Sequence, residues 1–239
     1  MIWVGTSGYA YPEWRGSFYP RGFPEPDMLP FYARHFRTVE INYTSYHFPT
    51  EKNLTGWDTN TPDGFKLALK VPRRITYGPA ALRAAGQIKA FEERVKPLGD
   101  KLGPLLMQLP PGFERDDQVL RSLVEAVPGD VPIGIELRHA SWHADEVFDL
   151  LRSRNVALCI SDSEELTTPV IKTADMAYFR LRHEGYDDAD LARWAGSVQT
   201  IAAQCPDTYV YFKHEGTGSG PRFAQVLLEH LGMKGDAHG

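Results

Sequence analysis

Charged side chains stand near the ends of several short apolar runs in this chain, where β-strands are predicted. In the run Ile133–Arg138, the two-residue period puts Glu136 and Arg138 on the face opposite the apolar side chains. Lys70 and Arg180 lie on the polar faces of two other runs. A carboxylate beside such cations stays ionised, which suits a base or a ligand-orienting group better than a general acid. We therefore predict a site in which Glu136 is the base or orienting carboxylate, with Arg138 and Lys70 as charge stabilisers.

A pocket built from several strand ends would collect these groups. The predicted catalytic residues are Glu136, Arg138, Lys70, Glu40 and Asp162. The predicted ligand-binding residues are Asn42, Gln108, Arg180, Tyr9, Trp14, Tyr46, Arg73 and Gly218. The alternative is an internal salt-bridge network that only fixes the register of the strands. Because burying several charges for that purpose is costly, the pattern favours a functional site.

A second feature is a basic window from Gly64 to Phe91. It contains six basic residues and no acidic one, in a chain whose formal net charge is −5. This contrast predicts an anionic partner. Aromatic residues occur in neighbouring predicted loops: Tyr9, Tyr11, Trp14, Tyr43, Tyr46 and Phe48. Together with Arg73 and Arg74 they could hold phosphate and stack a base or sugar, so a nucleic acid is an alternative partner. In the competing interpretation the aromatics pack as a lid beside a solvated basic face.

The glycine-rich segment 216–220 leads into the last predicted helix. Backbone N–H groups at a helix start bind anions, and the turns after the last two strands of a barrel commonly hold phosphate. Gly218 is therefore a predicted phosphate contact. A flexible connector would use the same glycines and is the alternative.

Two segments repeat the order basic-His-Glu-Gly and contain His183 and His214. With Glu136 and Asp162, these histidines could ligate a divalent metal. We expect no metal, because the cations predicted in the pocket would repel one. The sequence also lacks a P-loop and a nucleophile elbow, and no cofactor is expected.

The elements that would position these residues are short strands alternating with helices. Strands are predicted at Ile2–Thr6, Thr38–Asn42, Phe65–Lys70, Leu105–Leu109, Ile133–Arg138, Val156–Ile160, Ala177–Arg182 and Thr208–Lys213. Helices are predicted at Asp27–Phe36, Pro79–Val95, Asp116–Ala126, Ala144–Arg154, Asp188–Gln204 and Pro221–Leu231. This alternation predicts an α/β fold, a TIM-like (β/α)8 barrel of parallel strands in a single domain over residues 1–233, with a loose C-terminal tail over 234–239. A doubly wound open sheet is less well supported, because the usual dinucleotide-binding turn is missing.

The amino-acid composition excludes several classes of protein. Apolar residues are 42% and charged residues 24% of the 239, which excludes a disordered chain, a coiled coil and a collagen-like repeat. The two cysteines, Cys159 and Cys205, have no metal-type spacing and predict a reducing compartment. We see neither a secretory signal nor the run of about 18 apolar residues that a membrane span needs. A cytoplasmic protein without a membrane partner is predicted.

Several motifs are distinctive in combination. They are Gly5-Thr6-Ser7-Gly8-Tyr9 with Trp14, Phe18-Tyr19-Pro20, Thr38-Val39-Glu40-Ile41-Asn42, Leu102-Gly103-Pro104-Leu105-Leu106 with Gln108-Leu109-Pro110-Pro111, Glu136-Leu137-Arg138-His139 with Trp142, and Arg180-Leu181. Together they resemble the YecE-like family, catalogued as domain of unknown function 72. The resemblance covers nearly the whole chain and implies a TIM barrel, but it supplies no reaction.

The predicted function is therefore the binding, with hydrolysis or isomerisation, of a small phosphorylated or other anionic ligand in a polar pocket at the C-terminal face. One alternative is a divalent-metal-dependent phosphoester hydrolase or isomerase. Another is a non-catalytic nucleic-acid-binding barrel. We favour the enzyme, because Glu40, Glu136 and Asp162 would repel a polyanion threaded into the mouth. The substrate and the oligomeric state stay open at this point.

Overall fold

The computed structural model of the protein describes residues 1–127, 129, 131–214 and 218–233. Within these residues eight strands form one parallel sheet: β1 (Ile2–Thr6), β2 (Thr38–Ile41), β3 (Lys66–Lys70), β4 (Leu102–Gln108), β5 (Ile133–Glu136), β6 (Ala157–Asp162), β7 (Met176–Leu181) and β8 (Asp207–Phe212). Their order is β1-β8-β7-β6-β5-β4-β3-β2. A parallel bridge between Ser7 and Glu40 joins the two end strands, so the sheet curls into a nearly closed barrel.

Helices pack around this barrel. The α-helices of the described residues are α1 (Met28–Tyr32), α2 (Glu51–Thr59), α3 (Arg73–Thr76), α4 (Ala84–Val95), α5 (Asp117–Glu125), α6 (Asp145–Ser153), α7 (Asp188–Ala202) and α8 (Ser219–His230). Short 3-10 helices lie at Pro12–Trp14, Glu25–Asp27, Tyr43–Ser45, Gly78–Arg83, Lys96–Lys101 and Ala140–Trp142. None of these helices is long and apolar enough to cross a membrane.

Each strand presents two faces, and the faces have different chemistry. Outward-facing residues such as Ile133 and Ile135 of β5 join the large apolar core between barrel and helices. Inward-facing residues of the amino-terminal half form a second apolar cluster, which we call the lower layer: Trp3, Ala68, Leu106, Ala157, Cys159, Ala174, Met176, Tyr178, Tyr209 and Tyr211. Further along the same strands, the inward-facing positions become polar and charged. The interior of the barrel is therefore divided along its axis.

The predicted barrel is confirmed, and most strand ends differ from the prediction by only a few residues. The helix α2 was not predicted, although Thr50 and Asn53 form a reciprocal capping box at its start. The helix predicted over Pro79–Val95 is instead a 3-10 segment followed by α4. The predicted tail over 234–239 lies outside the described residues.

Candidate functional site

Arg180 lies at the centre of the carboxyl-terminal half of the barrel, and it is fully buried. Its side chain projects inward from β7 and donates hydrogen bonds to two carboxylates. Nε and Nη2 each lie 3.0 Å from an oxygen of Glu40, and Nη1 lies 2.7 Å from Oε2 of Glu136. Strands β2 and β5 present these carboxylates from separate positions around the barrel. One guanidinium thus ties three strands together across the interior.

Glu40 is held by further donors from other strands. The Ser7 hydroxyl donates to Oε1, and the Tyr178 hydroxyl donates to Oε2 at 2.7 Å. Lys70, from β3, places its Nζ 3.5 Å from Oε1. This last distance is longer than the roughly 2.7–2.9 Å of a strong charge-assisted hydrogen bond. Glu40 therefore receives its short hydrogen bonds from Arg180, Ser7 and Tyr178, with Lys70 one step further away.

Glu136 accepts hydrogen bonds at both of its oxygens, and two further arginines lie at longer distances from one of them. The Gln108 amide donates to Oε2, and the Ser161 hydroxyl donates to Oε1 at 3.3 Å. Two more arginines approach Oε1 without close contact. Arg138 Nε lies 3.9 Å away and Arg182 Nη1 lies 3.5 Å away. Both arginine side chains are only about one-fifth exposed, 20% and 21%.

Both carboxylates are ionised in this environment. Burial alone would raise their pKa values, but the positive charge of Arg180 opposes it. Lys70 adds to this effect at Glu40 and Arg182 at Glu136, so that each pKa falls to about 2. Burial would likewise lower the pKa of Arg180, but Glu136 and Glu40 hold it well above its usual value. A group with a pKa near 2 is a weak base and is not a proton donor at neutral pH, so Glu136 is better suited to orient a ligand than to exchange protons.

We call seven residues of this half the ionic cluster: Glu40, Lys70, Glu136, Arg138, Arg180, Arg182 and Lys213. Lys213 follows Tyr209 and Tyr211 on the inward face of its strand, and its charge helps to lower the pKa of Lys70. Five cationic side chains accompany two carboxylates in the cluster. The sequence prediction did not list Arg182 and Lys213, yet the two-residue alternation that pointed to Arg180 also points to Arg182.

Asn42 joins the cluster to a neighbouring groove. Its Oδ1 lies 3.2 Å from the Ser7 hydroxyl, and its Nδ2 donates to the Tyr11 hydroxyl at 2.9 Å. Asn42 also lines a cavity of about 310 Å³ together with Tyr9 and Trp57. Two of the predicted ligand-binding residues, Tyr9 and Asn42, thus lie together beside the barrel mouth.

Trp14 does not lie where the sequence prediction placed it. The indole is completely buried, stacks on Tyr19 and donates from Nε1 to the His214 carbonyl at 3.2 Å. A ring without exposed surface cannot stack on a ligand. The prediction of Trp14 as a ligand-binding residue is therefore wrong, because the first loop folds back over this ring and makes it part of the core.

Asp162 is also separated from the predicted site. Ser161 points inward at the end of β6, so the two-residue period turns Asp162 to the other face. There its carboxylate accepts hydrogen bonds from Tyr186 and Thr167, each at 2.7 Å. A catalytic partnership between Asp162 and Glu136 does not follow from this arrangement, which corrects the expectation based on strand ends alone.

The two histidines considered as metal ligands contact each other through the backbone. His214 is buried, and its Nε2 lies 2.7 Å from the carbonyl oxygen of His183. Because a carbonyl accepts hydrogen bonds, Nε2 is the protonated nitrogen and cannot ligate a metal. Among the described residues, no group of three His, Cys, Asp or Glu side chains is arranged to hold a metal ion.

Gly218 has a structural reason to be glycine. It precedes α8 with φ of 67°, and a Cβ atom there would lie 2.6 Å from the Ser17 hydroxyl. This turn packs so closely on the first loop that a residue with a side chain does not fit at this position. Gly216 and Thr217, the other part of the predicted phosphate cradle, lie outside the described residues.

Tyr46 and Arg73 lie together at an exposed edge formed by the second and third loops. The Arg73 guanidinium stacks over the Tyr46 ring at 4.7 Å, and Arg74 stacks over Phe48 at 4.7 Å. Tyr46 keeps 63% of its surface exposed. We call these four residues the stacked edge. None of them contacts the carboxylates of the ionic cluster among the contacts of the described residues.

Comparison with known proteins agrees with this architecture. The family model described as "Protein of unknown function DUF72" matches residues 3–238. The UPF0759 protein YecE of Escherichia coli (strain K12) is 30% identical over 145 residues, which span 60% of this chain and about half, 51%, of that relative. The UPF0759 protein YunF of Bacillus subtilis is 20% identical, covering 98% of this chain and 96% of its own.

Solved structures show the same fold. A DUF72 family protein from Thermotoga maritima matches with a TM-score of 0.82 at 24% identity, covering 97% of this chain and 99% of its own. One from Enterococcus faecalis matches with a TM-score of 0.81 at 21% identity, covering 98% and 96%. At this identity the structural likeness establishes the fold only. Because the family model covers nearly every residue of the sequence, the chain belongs to the DUF72 family.

Proposed function

We propose that the ionic cluster binds the anionic group of a small phosphorylated ligand at the carboxyl end of the barrel, and that the protein is an enzyme acting on that ligand. The observation that carries this proposal is the excess of positive charge around Glu136. Arg138 and Arg182 approach its Oε1 only to 3.9 and 3.5 Å, so their donors are not consumed by short hydrogen bonds to the carboxylate. An anion entering the mouth would give them better partners.

Three buried residues beneath these arginines, Arg180, Glu40 and Glu136, support the same proposal. Arg180 makes short bonds with both Glu40 and Glu136 and offsets one of their two negative charges. The remaining positive charge lies with Arg138, Arg182, Lys213 and Lys70. Since arginine presents several donors in a rigid fork that matches phosphate, two arginines side by side favour a phosphate group over a neutral ligand.

The proposed chemistry is hydrolysis or isomerisation of the phosphorylated ligand. Glu136 and Glu40 stay ionised at neutral pH, so neither supplies a proton to a leaving group. Glu136 would instead orient the ligand, while Arg138 and Arg182 stabilise negative charge that develops on it. No organic cofactor is part of this proposal.

Calorimetric titration with inorganic phosphate tests the anion site. We expect saturable binding, and about tenfold weaker binding for Arg182→Gln, a loss of about 1.4 kcal/mol. Arg73→Gln removes the same charge from the stacked edge and is the matched control, which should bind phosphate like the wild type. Equal loss in the two variants, or no saturable binding, would contradict the proposal.

A second candidate function rests on the stacked edge. Arg73 stacks on the exposed Tyr46 and Arg74 stacks on the partly buried Phe48, which combines positive charge with aromatic surface, as in proteins that bind single-stranded nucleic acids. The same two variants separate the candidates. If single strands bind here, Arg73→Gln should weaken binding to a labelled oligonucleotide and reduce the slope of log affinity against log salt by about 0.7, whereas Arg182→Gln should change neither.

A further inference from the structure

Lys70 differs from the arginines of the ionic cluster because it is a primary amine that can lose its proton. Its side chain lies at the carboxyl end of β3 and is almost fully buried, with 7% of its surface exposed. Its Nζ makes no hydrogen bond among the described residues, and its only ion pair is the contact with Glu40 at 3.5 Å. Within the part of the chain that the structure describes, the amine is therefore held without a short hydrogen bond.

Glu40 does not need this amine to satisfy its hydrogen bonds. Both of its oxygens already accept hydrogen bonds from Arg180, and each also accepts one from a hydroxyl, Ser7 or Tyr178. A lysine retained only to neutralise Glu40 would be expected at a hydrogen-bonding distance. The longer contact leaves the Nζ of Lys70 without a short hydrogen bond to Glu40, so that it can contact a ligand at the mouth of the barrel.

The surroundings also favour the neutral amine. Burial lowers the pKa of Lys70, the positive charges of Arg180 and Lys213 lower it further, and Glu40 and Glu136 raise it in part, which leaves the pKa at about 8. Solvent-exposed lysines titrate near 10.4. At pH 7.5 the neutral, nucleophilic fraction of Lys70 is therefore about 10²-fold larger than that of an exposed lysine. Desolvation next to other cations is a known way to activate a lysine for attack on a carbonyl.

We propose that Lys70 is a nucleophile that forms an imine with the carbonyl carbon of an anionic ligand, whose phosphate group is held by the neighbouring arginines. This inference rests on the anion site proposed above and narrows its substrate class to phosphorylated aldehydes and ketones. It also favours isomerisation over hydrolysis, because an imine acidifies the carbon next to it.

The bond changes balance without an oxidant or reductant. The lone pair of the neutral Lys70 amine adds to the carbonyl carbon, and one proton of that amine passes to the former carbonyl oxygen to give a carbinolamine. That hydroxyl then takes one proton from solvent at the mouth and leaves as water, while the nitrogen lone pair forms the C=N bond. The positive iminium nitrogen stands where the ammonium stood, beside the ionised Glu40, which stabilises it by charge.

Reductive trapping tests this proposal on the intact protein. The probe is glycolaldehyde phosphate at pH 7.5 with sodium cyanoborohydride, whose hydride converts an imine into a stable secondary amine. Peptide mass spectrometry then locates the modified lysines. We expect Lys70 to be modified at least tenfold faster than exposed lysines such as Lys52 and Lys89. Unphosphorylated glycolaldehyde should lose this preference, and inorganic phosphate should slow the modification of Lys70.

Two variants accompany the experiment. Lys70→Arg keeps the charge and should lose the fast modification, while Lys66→Arg, four residues earlier at the other end of β3, should keep it. Modification spread over exposed lysines with Lys70 unmodified would overturn the inference. If calorimetry still showed phosphate binding in that case, the anion site would stand alone. Equal modification of Lys70 by glycolaldehyde and its phosphate would overturn the proposed link between the amine and the anion site.

Discussion

The two halves of the barrel interior are built on the same strands but from opposite chemistry. In the lower layer, Trp3 stacks on Tyr209 with ring centroids 6.0 Å apart, and Tyr178 packs against Tyr211 at 5.3 Å. In the ionic cluster, a few residues further along, Arg180 bonds to two carboxylates. Aromatic packing gains free energy by removing surface from water, whereas buried charges cost free energy unless they are paired.

The difference teaches that the ionic cluster is not required to fill the barrel. The lower layer shows that aromatic and apolar side chains can fill the same cylinder. A network that only fixed strand register would need no more cations than its carboxylates can pair. The cluster instead places Arg138 and Arg182 at a distance from their nearest carboxylate oxygen. We therefore expect substitutions in the lower layer to change the free energy of unfolding. Substitutions in the ionic cluster should change the free energy of unfolding, the affinity for the ligand, or both.

Acidification should produce the largest effect, and the two buried carboxylates of the cluster should contribute most of it. The pKa values of Glu40 and Glu136 are depressed from 4.5 to about 2 in the folded state, so their stabilisation is complete above pH 4.5 and is lost as the pH falls to 2. Each depressed group corresponds to about 3 kcal/mol at about 1.4 kcal/mol per pKa unit, and the shared Arg180 makes the sum smaller than twice that value. Urea unfolding monitored by tryptophan fluorescence from pH 6 to pH 2.5 measures it. Glu229→Gln, at an exposed acid of α8, is the control and should leave the profile nearly unchanged.

Arg180→Met should destabilise the protein by about 3–5 kcal/mol at neutral pH, because it leaves two buried carboxylates without their shared cation. The same urea unfolding experiment measures the loss. It should also make the acid dependence shallower, since the pKa values of Glu40 and Glu136 rise when the guanidinium is removed. Arg193→Met breaks only an exposed ion pair with Asp190 and should change stability by less than about 1 kcal/mol. Similar stability of the two variants would show that the cluster is not a stabilising unit.

Leu106→Ala should cost about 3 kcal/mol of stability through the cavity that it leaves in the lower layer. We expect phosphate affinity, measured by calorimetry below the unfolding temperature, to stay within a factor of two of the wild type. A tenfold weaker affinity in this folded variant would mean that the two halves of the interior are not independent.

Asp162→Asn should have the smallest effect, about 1 kcal/mol of stability, because asparagine keeps one acceptor for Tyr186 and Thr167. Phosphate affinity should be unchanged, since the carboxylate faces away from the barrel interior. A tenfold change of phosphate affinity in either direction would instead show that Asp162 belongs to the anion site.

The periodicity of the sequence was sufficient to predict the barrel and the members of the cluster that lie within strands. Glu40, Lys70, Gln108, Glu136 and Arg180 all stand at inward positions of apolar-polar alternation, and the carboxyl ends of parallel strands must meet at one end of a barrel. Their convergence follows from strand direction and register. The helix α2 was missed because its polar residues leave a weak apolar stripe, and its capping box is a short local signal.

Loops and strand ends are where the sequence alone was insufficient. The sequence predicts Trp14 to be an exposed aromatic residue in a loop. It is buried by contacts with Tyr19 and with the backbone at His214, which is distant in sequence. The sequence predicts Asp162 to lie just past a strand, but β6 continues to Asp162, and the alternation that turns Ser161 inward turns Asp162 to the other face. The sequence by itself determined which residues alternate with an apolar face, because that period is local. Contacts between distant segments determine which loop residues are covered and how far each cation lies from its carboxylate. Only the tertiary structure therefore decided these two features.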